Sequence, residues 1–524
     1  MSTSYWYIVI LIFFLRREVD TYRVLGVFPL NFRSHFIFFE SIMRGLAREG
    51  HQVDIISHYE LTNPPKNYKT IINLAKLDYP YPTTKFETIQ KAIDAIKDPV
   101  KHLTEVYGIK MCPLLGHQKM QDFIRKPPKD TPYDVIIVQG YTISCFNGLG
   151  RVFNVPVITA TPTLEFPWIS RQIGNPFSTA FFSTLFMMKA EIKTFWDRLH
   201  NTVQTHVALY RFFSRTDDTH TEAMRKFLST DMPTIREIEK EVALSIVNSH
   251  YTLQGVRPNT PAIIEVAGIH IEEDNSTLNM DLKRWMDESK SGVVYISFGT
   301  VVPIESLSKT TLLGMYNSFS KIAPIRVLIK AAEGENLPLG LPKNVKTMTW
   351  IPQIAVLKHN NTRLFMTHGG VHGVQEAVYF GIPVIGVPLF FDQMKNVNIL
   401  VSKKMGVQLN YNEITEDSLD AALGKILKNP KYREAANYQS RLFRDRPLSA
   451  TKTATYWIEY ILKHGAQSLR SPAIDLYWWQ AELLDVYLFL LFCVSLVSYV
   501  ISIIFNIVLR KLSRRNLKIQ LKRD

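Results

Sequence analysis

Phe365-Met366-Thr367-His368-Gly369-Gly370-Val371-His372-Gly373-Val374-Gln375-Glu376-Ala377 reads as a buried apolar strand that runs into a glycine turn and then into a helix. The strand delivers His368 to its C-terminal tip. Gly369, Gly370 and Gly373 let backbone amides come close to a ligand at the start of that helix. A helix start carries N–H groups without intrahelical partners and a partial positive charge, so it favours a phosphate. Further along the same helix, Glu376 can accept from a pair of ribose hydroxyls. Upstream, Trp350-Ile351-Pro352-Gln353 offers a flat apolar face on which a base can stack. Downstream, past Gly381-Ile382-Pro383 and the next strand, Asp392 and Gln393 can together accept from and donate to a polyhydroxylated group.

Working outward, Val293–Gly299 is a strand ending in a glycine turn, and 326–330, 345–349, 364–367 and 383–387 are further short strands. Their spacing leaves room for intervening helices, which predicts a doubly wound parallel sheet. The first half repeats the type. Arg23–Pro29 is a short apolar strand, followed by a helix with Phe36, Phe39, Met43 and Leu46 on one face and Gly50 as its stop. Strands at 52–57, 134–138 and 155–160 are continuous β-branched runs, as expected where both faces of a sheet are covered. The stretches 60–130 and 165–240 read as mixed helix and loop lining a variable pocket. Two such sheets facing each other form a cleft between the carboxyl ends of their strands, where ligands of open α/β sheets bind.

The chain has 524 residues, 46% hydrophobic and 21% charged, which excludes disorder and a coiled coil. With three cysteines it is neither a disulfide scaffold nor an all-cysteine zinc site. One disulfide between Cys112 and Cys145 is allowed and not required; Cys493 lies in an apolar run. That run, Tyr487–Leu509, contains no charged residue and can cross a bilayer. Arg510, Lys511, Arg514, Arg515, Lys518, Lys522 and Arg523 come after it, offset by Asp524, so a sizeable part of the net charge of +14 is a juxtamembrane tail. Such a tail marks the cytoplasmic side and places the rest of the chain opposite. It also removes the reason to read the charge as a nucleic-acid surface. Tyr5–Leu15 has the length of a signal-peptide core, although Arg16-Arg17 stands where small residues would favour cleavage. Sequons at Asn275 and Asn360 permit glycosylation.

These motifs resemble the signature of the membrane-anchored UDP-glycosyltransferase family, most closely its insect members. The resemblance also takes in Val24–Pro29, Ser34-His35, Gly50–Val53, Val293–Thr300, Trp478-Trp479-Gln480 and the terminal span with its tail. It implies an α/β, GT-B fold: two facing doubly wound Rossmann-like domains and a C-terminal transmembrane helix. The implied divisions are a signal-like N-terminus at 1–19, an acceptor domain at 20–270, a linker at 271–291 and a UDP-sugar domain at 292–446. A return helix and juxtamembrane segment at 447–485, the span at 486–509 and the tail at 510–524 complete the chain. Carried onto matching positions, Trp350 stacks on uracil and Gln353 binds the uracil–ribose part. His368 with Gly369, Gly370 and Gly373 holds the diphosphate, flanked by Ser297, Gly299 and Thr300. Glu376 takes the ribose, and Asp392 and Gln393 the sugar. His372 stands where vertebrate and plant relatives commonly have Asn, and is carried over as a phosphate contact.

His35 is the implied base: a near-neutral imidazole at the entry to the first helix is suited to taking a proton from an acceptor hydroxyl. Relatives place Asp or Glu at the tip of the 134–138 strand to orient and charge-balance that base; this chain has Gln139. The resemblance therefore implies inverting transfer of a hexose, with glucose expected, from a UDP-sugar to hydroxyls of small lipophilic acceptors. It implies no metal and no cofactor beyond the UDP-sugar co-substrate. A detoxifying enzyme of the endoplasmic reticulum membrane, lumenal and free to form a homo-oligomer, is the expected setting. The competing expectation is a UDP-sugar- or lipophile-binding membrane protein whose catalysis Gln139 has weakened or removed.

Overall fold

The computed structural model describes residues 21–520 apart from 83–85, 128–131, 301–302 and 332–335; the signal-like run at 1–19 lies outside the described residues. Seven parallel strands form the first sheet: β1 (Arg23–Phe28), β2 (Gln52–Ser57), β3 (Tyr68–Asn73), β4 (Val135–Gln139), β5 (Val157–Thr161), β6 (Val242–Val247) and β7 (Ile263–Glu265). Their order is β3-β2-β1-β4-β5-β6-β7. Six more form the second: β8 (Val293–Ser297), β9 (Arg326–Lys330), β10 (Val345–Met348), β11 (Thr362–Thr367), β12 (Val384–Gly386) and β13 (Gly406–Gln408). Here the order is β10-β9-β8-β11-β12-β13. In both, the order reverses beside the first strand, between β1 and β4 and between β8 and β11. Those reversals open crevices at the carboxyl ends of the strands.

Alternation within each strand explains why these runs are mostly apolar. Val294 and Ile296 of β8 enter one core cluster, whereas Val293 and Tyr295 enter the cluster on the opposite face. A strand covered on both faces has no solvent side to make polar. Helix α1 (Arg33–Arg48) comes after β1 and buries Phe36, Phe39, Met43 and Leu46 against the first sheet. The segment expected as mixed helix and loop contains α2 (Phe195–Phe227), a single helix of 33 residues. A capping box starts it: Thr194 Oγ1 accepts from Asp197 N at 3.1 Å, and Asp197 Oδ2 accepts from Thr194 N at 3.0 Å.

After β7 comes the short helix α3 (Ile269–Glu272), whose Ile269 is buried in the same cluster as Phe36 and Phe39. Within the polar stretch 271–291, Met280–Glu288 forms a helix that buries Leu282 and Met286 beside the second sheet. Helix α4 (Val371–Tyr379) comes after β11, and α5 (Gln393–Ser402) after β12. The chain then returns to the first sheet through α6 (Ala450–His464), which packs Ala450, Ala454, Ile458 and Ile461 against α1 and the strands behind it. Glu272 of α3 caps α6 by accepting from Ala450 N at 3.0 Å and Thr451 N at 3.1 Å.

Cys112 and Cys145 are joined by a disulfide inside the first half. Residues 471–520 form a separate unit. It is dominated by α7 (Leu484–Gln520), whose stretch Leu484–Arg514 is, among the described residues, the one helix long and apolar enough to cross a membrane.

Candidate active site

β1 and β4 are parallel neighbours, with Val27 beside Val138, so the segments leaving the two strands emerge at the same edge. His35 lies in the first turn of α1, just past β1, and Gln139 ends β4. The two side chains meet: Gln139 Nε2 lies 3.3 Å from His35 Nδ1. Gln139 is itself oriented from behind, because its Oε1 accepts from Leu30 N at 3.3 Å. An amide NH2 can only donate, so His35 Nδ1 accepts and the ring proton of the neutral imidazole resides on Nε2. Burial, with the neighbouring His372 imidazole adding to it, pushes His35 down to about 3. Phe32 and Tyr141 flank the ring, with centroids 4.6 and 5.2 Å away.

The second sheet repeats the arrangement. β8 and β11 are parallel neighbours, so Ser297 and Gly299 emerge beside His368. Gly369 has φ +86°, a conformation side-chain-bearing residues rarely adopt, and it turns the chain from β11 into α4. Gly370 leaves room for the His368 ring: a Cβ there would stand 2.6 Å from His368 Nε2. Burial and the Lys330 ammonium together push His368 down to about 4, so this imidazole is neutral at physiological pH. Lys330, at the end of β9, donates to Gly299 O at 2.9 Å and lies 5.0 Å from the Trp350 ring centroid. No sequence motif marks Lys330. Its place at the carboxyl end of a strand next to the crevice was the signal that could have found it.

Glu376 is buried and its carboxyl is engaged on both oxygens. Oε2 accepts from Gln353 Nε2 at 2.6 Å, and Oε1 is 3.2 Å from His270 Nε2. Burial raises it to about 8 in spite of the Gln353 donor. Gln353 in turn accepts from Tyr295 OH at 3.0 Å. Trp350 is 63% exposed and leaves a ring face open. Asp392 accepts from Asn396 Nδ2 at 2.7 Å, and burial raises it to about 6. Gln393 uses its amide oxygen to hold its own loop, accepting from Leu389 N at 2.9 Å and Phe390 N at 3.1 Å. Its Nε2 is the group left for a ligand.

A cavity of about 1120 Å³ unites these parts. His35, Ser297, Gly299, Thr300, Trp350, Gln353, His368, Gly370, His372, Gly373, Glu376, Asp392 and Gln393 all line it. Gln139 and Gly369 stand behind this lining, the first against His35 and the second as the turn under His368. On the first-half side the wall is largely aromatic and aliphatic, with Phe32, Leu103, Tyr107, Tyr141 and Phe166. An imidazole thus faces a phosphate-favouring helix start across a partly apolar space.

Gly370 has φ −60° and ψ 143°, which any residue adopts, so Gly370→Ala tests space and not backbone strain. The added methyl must displace the His368 ring. We expect UDP to bind about tenfold more weakly, the loss of one charge-assisted hydrogen bond. Titration of tryptophan fluorescence with UDP measures this, and an unaltered affinity would remove His368 from the diphosphate.

A family model described as "UDP-glucoronosyl and UDP-glucosyl transferase" matches residues 23–519. The chain is 34% identical over 495 residues to "UDP-glycosyltransferase UGT5" of Dactylopius coccus, covering 93% of this chain and 92% of that one. It is 28% identical over 497 residues to human "UDP-glucuronosyltransferase 2B10", covering 88% and 89%. Among solved structures, UGT89C1 of Arabidopsis thaliana superposes with a TM-score of 0.57 at 16% identity, covering 84% of this chain and all of that one. Its fold is the GT-B arrangement of two parallel sheets described above.

Proposed function

The chain belongs to the UDP-glucoronosyl and UDP-glucosyl transferase family and is a UDP-glycosyltransferase, and from that premise we propose that it transfers a hexose, with inversion, from a UDP-sugar to a hydroxyl of a small lipophilic acceptor. Residues 20–270 receive the acceptor and 292–446 the donor, with 271–291 between them. In the donor half Trp350 stacks on uracil, and Gln353 and Glu376 hold the uridine ribose. The amides of Gly369, Gly370 and Gly373, with Ser297, Gly299, Thr300, His368 and His372, take the diphosphate. Asp392 and the free Nε2 of Gln393 take the sugar hydroxyls. His35 accepts the acceptor's hydroxyl proton on Nε2, in the less stable tautomer that a turned Gln139 amide permits, as that hydroxyl's oxygen bonds to the anomeric carbon. The bond from that carbon to the β-phosphate oxygen breaks, and UDP leaves with both electrons. Charge on the departing diphosphate falls on the α4 N–H groups, His368 and Lys330, so this step calls on no metal. The observation that carries the reading is the single cavity shared by His35 and the start of α4.

The basic tail and the Cys112–Cys145 disulfide support a single-pass protein of the endoplasmic reticulum membrane, with its two sheets on the oxidising side. A second reading, a protein that binds UDP-sugars but transfers slowly or not at all, is favoured by the Gln139–His35 geometry. One assay separates the two. Membranes containing the full chain are supplied with UDP-glucose, UDP-glucuronate or UDP-galactose and a panel of phenols, and UDP release is measured. Acceptor-dependent release with one donor is expected. UDP quenching of tryptophan fluorescence without release from any donor–phenol pair would replace the first reading by the second.

A further inference from the structure

We propose that His270 is a positioning residue of the donor site, holding Glu376 and His372 from the first half of the chain in the geometry that receives the uridine ribose. The inference rests on the assignment of Glu376 to the ribose made above. His270 is carried by α3, which is seated on α1 through Ile269 and caps α6 through Glu272. It is buried, 3% exposed, and reaches across to α4. There its Nε2 lies 3.2 Å from Glu376 Oε1, and its ring stacks on His372 with centroids 4.4 Å apart and planes 21° from parallel.

Three features separate this from core filling. First, with Gln353 on the other oxygen, His270 completes a clamp that fixes the plane of the Glu376 carboxyl; each oxygen keeps a lone pair for a ribose hydroxyl. Second, His270 Nδ1 and His372 Nε2 are buried with no hydrogen-bond partner among the described residues. A filler would be better apolar, because an unpaired buried polar atom is destabilising. Third, the crossing is locked in register next door. Gln375 Oε1 accepts from Gly268 N at 3.0 Å, and Gln375 Nε2 donates to Asn248 O at 3.1 Å. His270 therefore cannot slide along α4 away from Glu376. The same α1 that supports α3 carries His35, so seating of the ribose and placement of the base share one scaffold.

The test compares UDP with 2′,3′-dideoxy-UDP, which lacks both hydroxyls assigned to Glu376, by tryptophan fluorescence on the full chain. The wild-type protein should prefer UDP by roughly a hundredfold. His270→Phe, which keeps an aromatic ring against His372 but cannot bond Glu376, should lower that preference at least about tenfold. His270→Ala should do the same, and His270→Gln, which can still bond the carboxyl, should restore part of it. A merely structural role would weaken both ligands alike and leave the ratio untouched. An unchanged ratio in both the Phe and the Ala variant overturns the proposal. Wild-type protein that binds the two nucleotides equally overturns the ribose assignment itself, and the inference with it.

Discussion

Gln139→Glu is expected to raise turnover at least about tenfold, and by as much as about four orders of magnitude if the proton position alone limits the wild-type enzyme. The reason is the direction in which hydrogen bonds run. Leu30 N needs an acceptor, and Gln139 Oε1 supplies it, which leaves the amide NH2 facing His35 Nδ1. In that arrangement Nε2, the remaining nitrogen, carries the proton and has no lone pair for an acceptor hydroxyl. Turning the amide over would free Nε2 but set two N–H donors, those of Leu30 and Gln139, against each other. A carboxylate has no such conflict: it accepts from Leu30 N and from His35 Nδ1–H at once, and Nε2 becomes the base. It also balances the charge of the imidazolium that forms.

The pH profile gives an independent reading of the same change. A ring held down to about 3 is neutral across the physiological range, so the wild-type acid limb belongs far below the usual imidazole value. So low a basicity also means little driving force for proton removal, which favours acceptors that ionise readily, such as phenols. A carboxylate at position 139 stabilises the protonated ring and raises its pKa. The acid limb of kcat/KM for Gln139→Glu should therefore move up toward neutrality while UDP affinity stays the same. A rate and an acid limb both unmoved would show that the orientation of Gln139 does not govern the base.

How much of this was legible in the sequence depended on whether a residue's role was written in its neighbours. β1, β8 and β11 are read correctly because strands covered on both faces leave short, largely apolar runs. The 33-residue α2 is not, because its pattern is mixed. Its inward face interleaves Asn201, Thr205, Thr216 and His220 with Leu209, Phe212 and Met224, whereas Trp196, Leu199, Val203 and Tyr210 are exposed. The apolar period is broken on both faces. β7 and β13 have three residues each, too few to carry a period, and lack the Gly381 and Pro383 punctuation that marks the equally short β12. The turn from His368 to Glu376 is legible because a glycine-opened helix start, of the kind that favours phosphate, is a local device. His270 is not, since its partner lies 106 positions away and nothing around it repeats. Gln139 falls between: its departure from the family is visible in sequence, but the consequence depends on Leu30 N, a contact made across 109 positions.

His35→Ala should lower turnover by roughly one to three orders of magnitude, the two to four of a usual general base less the tenfold or more that Gln139 withholds, with UDP affinity nearly unchanged because the ring is carried by α1 of the first half. The double variant says more than either single one. If glutamate at position 139 acts through the imidazole, its acceleration must vanish once the imidazole is gone, so Gln139→Glu/His35→Ala should turn over no faster than His35→Ala. Groups that work as a unit lose their function together. The competing outcome is physical and specific. Removing the ring opens space beside position 139, and a carboxylate there could take the acceptor's proton itself, through a water molecule. A double variant clearly faster than His35→Ala would mean that the chain's first sheet presents two sites for a base and that Gln139 does not act by setting the tautomer of His35. Equal rates for the two would fix His35 as the group through which β4 influences the reaction.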